Sequence, residues 1–127
     1  MHITIIEKDE QDAQRLLQFC LEYFKGKTVY FHWYPSYLEW SKGHHDILTD
    51  ILFSDIYLEE ENEILWAKKI KEQCPHIEII FYSSNLQYSL LTYEVNHAYF
   101  FLKEDMKNRI DLAIDRAQSH LHKQIFS

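Results

Sequence analysis

Glycine is almost missing from this 127-residue chain, which has two, and proline is as scarce, also with two. Loops that wrap phosphate in nucleotide and dinucleotide folds need glycines close together, because the backbone must turn tightly and approach the phosphate oxygens. Gly26 and Gly43 cannot build one, so a large class of cofactor enzymes is excluded. Cysteine is equally thin. Cys20 and Cys74 have no CxxC spacing, and the expectation is two reduced structural thiols in a cytoplasmic protein. Basic charge is short, with 13 Lys and Arg against 20 Asp and Glu, a net charge of −7. Clustered Lys and Arg are what neutralise phosphates, so this segment is not expected to grip nucleic acid itself. The eight histidines include His44-His45 but no HExxH pattern, so no zinc-type site is read from them. No apolar run approaches the roughly 18 residues of a membrane span. The chain enters Ile3-Thr4-Ile5-Ile6 with no basic, apolar, small-residue leader, and no signal peptide is expected.

What is present is apolar and aromatic. A hydrophobic fraction of 46% with 20 Phe, Trp and Tyr residues suits one domain, 1–127, with its own core. His2–Ile6 is a short β-rich run. Leu16, Leu17, Cys20, Leu21 and Phe24 recur at helical spacing, and Gly26 closes that helix. Thr28–Tyr34 is β-branched and aromatic and reads as a strand whose aromatics belong to the core. Pro35 opens a short helix through Leu38 and Trp40 that ends near Gly43. Asp50–Asp55 is a buried strand ending on a carboxylate. Asn62–Gln73 is a helix stopped by Pro75, with Lys68, Lys69 and Lys71 as a solvated face. Ile77–Tyr82 is a strand, Leu86–Tyr93 a weaker helix, and Ala98–Leu102 a fifth strand. Met106–His122 is a long amphipathic helix carrying Ile110, Ala113, Ile114, Ala117 and Leu121 on one face. Five strands alternating with helices predict a parallel sheet covered on both faces.

In such sheets, functional side chains gather at the carboxyl ends of the strands. Those ends bring Glu7 and Asp9, Asp55, Ser83 and Ser84, and Lys103 to one edge. The segments Ile-Ile-Glu-Lys-Asp-Glu (5–10), Asp-Ile-Leu-Phe-Ser-Asp-Ile (50–56), Ile-Ile-Phe-Tyr-Ser-Ser (79–84) and Tyr-Phe-Phe-Leu-Lys (99–103), in this order, resemble the landmarks of response-regulator receiver domains. The tail Phe-Leu-Lys-Glu-Asp (101–105), without the usual proline, and Ile-Ile-Phe-Tyr-Ser-Ser look most like the accessory-gene-regulator branch of LytTR-type regulators.

The resemblance implies a flavodoxin-like (CheY-like) (βα)5 three-layer sandwich with strand order 2-1-3-4-5, two helices on one face and three on the other. It implies a two-component receiver, not an enzyme, that takes a phosphoryl group from a histidine kinase on Asp55. A carboxylate can attack phosphorus to give an acyl phosphate. The same resemblance makes Glu7, Asp55 and the backbone carbonyl of Tyr57 magnesium ligands. It places Ser83 and Lys103 on the phosphoryl oxygens and Phe100 at the switch aromatic, with a surface change near the fourth helix, fifth strand and fifth helix. Regulators of this branch usually act on DNA through a further domain and can pair as homodimers. Whether this chain is a stand-alone receiver or a piece of a longer regulator stays open.

Plainer readings stand beside these. Asp55 could cap a turn, Glu7 and Asp9 could cap the first helix (Asp9 above all), Ser83 could be a loop hydroxyl, Lys103 a surface lysine and Phe100 plain core. Three positions depart from the family pattern. Lys8 replaces the second acid, Glu104 replaces a proline that usually follows a cis bond, and Glu63 replaces a loop glycine. An ammonium offers a metal no oxygen donor, so Lys8 is expected at the pocket mouth. There it either pairs with Asp55 or Glu7, weakening or replacing magnesium, or swings its charge into solvent on its flexible stem and leaves a weakened but usable site. The alternative functions are a pseudo-receiver that serves as a phosphorylation-independent interaction module, and a small flavodoxin-like enzyme or flavin carrier, which the missing phosphate loop disfavours.

Overall fold

A computed structural model describes residues 1–43 and 48–126, with 124–126 described by backbone alone, so His44 and His45 lie outside the described residues. Strand β1 (His2–Ile6) leads into helix α1 (Glu10–Tyr23), then β2 (Tyr30–Tyr34), α2 (Tyr37–Gly43), β3 (Ile51–Asp55) and α3 (Glu63–Gln73). After β4 (Glu78–Ser83) comes a 3-10 helical segment (Leu86–Glu94), then β5 (Tyr99–Leu102), a short 3-10 turn (Lys103–Asp105) and α4 (Met106–Phe126). All strand pairs are parallel and the order is β2-β1-β3-β4-β5, as the sequence pattern predicts.

The central strands are apolar on both faces because helices cover both. Ile3, Ile5, Ile51, Phe53, Ile80 and Tyr82 turn one way, onto Leu16, Cys20 and Phe24 of α1 and Ile110, Ala113, Ile114 and Ala117 of α4. Ile6, Leu52, Ile79 and Phe81 turn the other way, onto Tyr37 of α2, Ile64 and Ala67 of α3, and Val95. Two helices therefore lie on one face, against two helices and the 3-10 segment on the other. Burying each such side chain contributes about 1.5–3 kcal/mol. Cys20 sits in the first layer, where burial pushes its thiol up to about 12, and neither cysteine is in a disulfide. Cys20 is inert packing material.

Polar side chains start the helices. The Asp9 carboxylate accepts the Asp12 N–H at 3.0 Å and caps α1, and Asn62 accepts the Leu65 N–H at 3.0 Å and caps α3. Gly26, at φ +83°, makes the left-handed turn after α1. No cis peptide occurs among the described residues, so the bond before Glu104 is trans, as its lack of proline requires. No helix among them is long and apolar enough to cross a membrane.

Three expectations need correction. The fourth helix is 3-10 rather than α, over Leu86–Glu94. Tyr30 and Trp33 of the aromatic strand are exposed, because β2 is an edge strand whose outer positions no helix covers. Lys71 is not part of the solvated face. Only 14% of its side chain is exposed, and its ammonium donates to the carbonyls of Pro75 (2.8 Å) and Ile77 (2.6 Å) and to Glu78 (3.2 Å). Glu78 is itself buried at the start of β4, with His120 of α4 against its other oxygen. Removing one partner of a buried ion pair leaves an uncompensated charge. Lys71→Ala should therefore cost about 3 kcal/mol, near 10 °C in Tm for a domain of this size. Lys68→Ala and Lys69→Ala should stay within about 0.5 kcal/mol, which thermal unfolding followed by circular dichroism will show.

Candidate functional site

The parallel register delivers four strand ends to one edge. Ile6 pairs with Ser54, Asp55 with Tyr82, and Ser83 with Leu102, so Glu7, Asp55, Ser83 and Lys103 arrive side by side. Asp55 and Glu7 are buried, at 6% and 1% exposure. Between them stands the Lys103 ammonium, 2.9 Å from Glu7 Oε1 and 3.4 Å from Asp55 Oδ2. It also touches Asp12 Oδ2, in the first turn of α1, at 2.9 Å. Arg15, one turn further along α1, donates to the Lys103 carbonyl at 3.2 Å.

Glu7 is fully engaged. Its Oε1 also accepts the Tyr82 hydroxyl at 3.1 Å, and its Oε2 accepts the Asp9 N–H at 3.0 Å. The Trp33 indole donates to its backbone carbonyl at 2.7 Å. Three carboxylates around one ammonium leave an excess of negative charge in a place that water reaches poorly. Burial, and then the charge of Glu7, push the Asp55 carboxyl up to about 7, against the opposing pull of Lys103. Burial alone would lower Lys103, but Asp55, Glu7 and Asp12 outweigh it and hold the ammonium above the ordinary lysine range. Tyr82, wholly buried and beside two carboxylates, is held well above the ordinary phenol and stays a donor.

Lys8 is not in this knot. It lines the pocket mouth, but its ammonium donates to Glu60 at 2.6 Å, half-exposed, and lies 4.9 Å from the centre of the Tyr57 ring. The expected pairing with Asp55 or Glu7 is therefore wrong, the alternative of an outward-turned ammonium holds, and Lys103 takes the inner place. The reason is solvation. The loop Glu59-Glu60-Glu61 offers Lys8 a carboxylate in water, whereas pairing inside would strip its hydration beside a second ammonium.

Ser83 is buried and lines a cavity of about 160 Å³ with Asp55 and Lys103. Its hydroxyl donates to the Ile56 carbonyl (2.9 Å) and accepts the Asn85 N–H (3.1 Å), so it currently ties β3 to β4. Tyr57 lines the same cavity, its N–H held by Glu63 Oε1 at 3.0 Å. The same oxygen takes the Leu58 N–H at 2.8 Å, and Leu58 stands at φ +62°. Where the family pattern has a glycine at 63, this loop is built by the Glu63 carboxylate around a left-handed leucine. Phe100 is half-buried on β5 beside Phe81 and packs on the second core layer.

The chain matches no family model and no curated protein sequence. Solved structures do match it. The response regulatory domain of protein mrkE from Klebsiella pneumoniae superposes with a TM-score of 0.80 at 17% identity, covering 97% of this chain and 99% of that one. The N-terminal domain of a response regulator/sensory box/GGDEF 3-domain protein from Carboxydothermus hydrogenoformans gives 0.81 at 13%, over 98% and 99%. The Salmonella typhimurium RcsB response regulator gives 0.76 at 14%, over 97% of this chain, which spans only 65% of that one. The fold is that of response-regulator receiver domains. At these identities the likeness is one of fold.

A magnesium ion of the kind this fold family implies needs several free oxygen donors. Both Glu7 oxygens are taken, the second acid is Lys8, and an ammonium occupies the space between Glu7, Asp12 and Asp55. Among the described residues no three His, Cys, Asp or Glu groups converge on a metal position. The arrangement does not fit the ion. Its excess negative charge shows instead in the Asp55 carboxyl, which burial and the charge of Glu7 push up.

Sequence reasoning missed Asp12 and Tyr82. Asp12 was legible as an acid in the first turn of the helix after Glu7, and Tyr82 as the single hydroxyl-bearing aromatic at the end of the fourth strand. Because folding raises the Asp55 carboxyl above its unfolded value, the folded state holds the proton more tightly. The associated stability is complete below about pH 4 and is lost as pH rises through about 7. Asparagine stays neutral throughout. In metal-free buffer Asp55→Asn should thus be about 1–3 kcal/mol more stable than the native chain at pH 8 and nearly equal to it at pH 4, measured by urea unfolding.

Proposed function

We propose that this chain is a signal receiver whose phosphoacceptor is Asp55. The observation that carries the reading is the pairing of a buried carboxylate at the end of β3 with the Lys103 ammonium 3.4 Å away at the end of β5. In the reaction an Asp55 oxygen attacks the phosphorus of a phosphohistidine. The P–N bond breaks, and the electron pair leaves with the imidazole, which takes up a proton. Lys103 then turns to the new phosphoryl oxygens, a charge of about −1.5 to −2 that attracts it more strongly than Asp12 does. The Ser83 hydroxyl sits in the adjoining cavity, one bond rotation from leaving Ile56. Phe100 repacks as β5 follows Lys103.

The partner in this reading is a sensor histidine kinase, in the cytoplasm, with no turnover of a substrate and hence no enzyme activity in the ordinary sense. RcsB, which this chain matches over 65% of its length, is described by its interaction with DNA. A DNA output here would act through a separate domain, as in LytTR-type regulators, and pairing of two receivers would bring two such domains together. Divalent-cation affinity is poor in this reading, and no step above is routed through one.

A specific observation favours a second reading, the pseudo-receiver. Lys8 stands where an acid is expected and Glu7 has no free oxygen, so a knot of ion pairs could hold the pocket shut. Intact-mass spectrometry after acetyl phosphate, or after a phosphorylated kinase domain, separates the two. The receiver reading expects one added phosphoryl group, absent from Asp55→Asn, and altered amide exchange within 84–104. No mass gain from either donor establishes the pseudo-receiver, and a gain retained by Asp55→Asn places the acceptor elsewhere. Magnesium titration followed by Tyr and Trp fluorescence should show weak binding. Lys8→Asp should tighten it, since it supplies the oxygen donor that the ammonium cannot.

A further inference from the structure

At the opposite edge of the sheet, far along β1 from Glu7, two histidines meet. His2 opens β1 and His32 lies mid-way along β2. The register His2↔Tyr30 and Thr4↔His32 puts both on the same face of neighbouring strands, two positions apart. His2 Nδ1 and His32 Nε2 face each other at 3.1 Å. The ring centroids are 5.3 Å apart with planes 8° from parallel. That spacing sets the rings end to end rather than one over the other, so one facing nitrogen carries a hydrogen and the other presents its lone pair.

The start of β1 and the His2 ring are held from outside the pair. The His2 backbone N–H donates to Asp50 Oδ2 at 2.8 Å, which pins the start of β1 to the start of β3. The Tyr30 ring stacks on His2 at 4.9 Å with planes 21° apart, which restricts its rotamers. Both imidazoles are half-buried and the Asp50 carboxylate stands close by, so the position is partly dry and favours a cation.

We propose that His2 and His32 form a two-imidazole binding site for a borderline transition-metal ion of the zinc, nickel or copper class. Imidazole nitrogens bind such ions at about 2.0–2.1 Å. Two of them on one ion then stand about 2.9 Å apart at a right angle and about 3.3 Å apart at the tetrahedral angle. The observed 3.1 Å lies between these values. On binding, the hydrogen on the facing nitrogen moves to the other nitrogen of the same ring. Both lone pairs then tilt toward the ion, and no net proton is lost. The strands supply the spacing in advance, so the ordering cost that weakens flexible histidine pairs has already been met by folding. Among the described residues no group of three or more ligating side chains forms, so the ion keeps open positions. Magnesium, which selects hard oxygen donors, is excluded.

The site lies away from Asp55, and its test needs no phosphoryl donor. The full chain is titrated with zinc chloride by calorimetry, with nickel as a second probe and magnesium as a control. Histidine ring resonances are followed by NMR in parallel. One zinc per chain in the micromolar range is expected, with the His2 and His32 signals shifting first. His2→Gln and His32→Gln keep a hydrogen-bonding side chain, and thermal unfolding checks that each folds. Each should weaken zinc by about tenfold or more, since even losses one shell further out cost about 10–100-fold. His76→Gln, His97→Gln and His120→Gln should leave it within a factor of about three. No zinc binding by the native chain overturns the proposal. So does affinity that survives loss of both His2 and His32, or that disappears only with His44 and His45 replaced.

Discussion

One ammonium holds together segments that would otherwise repel. Glu7 ends β1, Asp55 ends β3 and Asp12 begins α1, and without Lys103 three carboxylates would crowd a partly dry edge. The sheet register makes the crowding unavoidable, because aligned strands must end together. Lys103 resolves it by direct contact, and what it leaves uncompensated raises the proton affinity of Asp55. Tyr82 and the Asp9 N–H add donors from below and beside Glu7, so the knot is anchored in the core and in α1 at once. Whatever changes the charge of Asp55 must redistribute Lys103, and with it the ties to α1 through Asp12 and Arg15.

The loops around this knot answer the shortage of glycine with carboxylates. Glu63 gathers the N–H groups of Tyr57 and Leu58, which lets a leucine hold a left-handed backbone. Such a conformation costs a non-glycine residue about 1–2 kcal/mol, an amount two charge-assisted hydrogen bonds offset. Glu61 reaches across to α2 and accepts the N–H groups of Tyr37 (2.7 Å) and Leu38 (3.3 Å), so the β3–α3 loop shares the capping of that helix with Ser36, whose hydroxyl accepts the Glu39 N–H. Glu60 draws off Lys8. The acidic run 59–61 is thus scaffolding as much as solvated charge.

The strands, their order and the four strand-end residues were legible because fully buried parallel strands read as continuous apolar runs, and because open α/β sheets collect side chains at one edge. Asp9 was legible as a cap through local spacing, whereas Asn62, which the sequence pattern assigns to the helix as its first residue, is the cap before it. What escaped were choices between partners set by three-dimensional neighbours. Lys8 and Lys103 are both lysines after apolar strands, and nothing local says that the first finds Glu60 while the second finds Glu7. Lys71 sits in a run of lysines, and its burial depends on Glu78 and on carbonyls that only the α3–β4 turn brings near. The 3-10 winding of Leu86–Glu94 escaped for the opposite reason. Its apolar spacing is compatible with either helix, and packing against the sheet decides.

That winding has a geometric consequence. A 3-10 helix repeats every three residues and rises about 2.0 Å per residue, so residues three apart stack in straight columns. Thr92 is the segment's buried residue, while Leu90 and Tyr93, at 72% and 82% exposure, stand one above the other on the outside. In an α-helix the same two side chains would diverge by about 60° and the nine residues would span about 13 Å instead of about 18 Å. The segment therefore carries a ruler: a straight apolar edge whose length and direction are both fixed by the choice of hydrogen bond, i to i+3 rather than i to i+4.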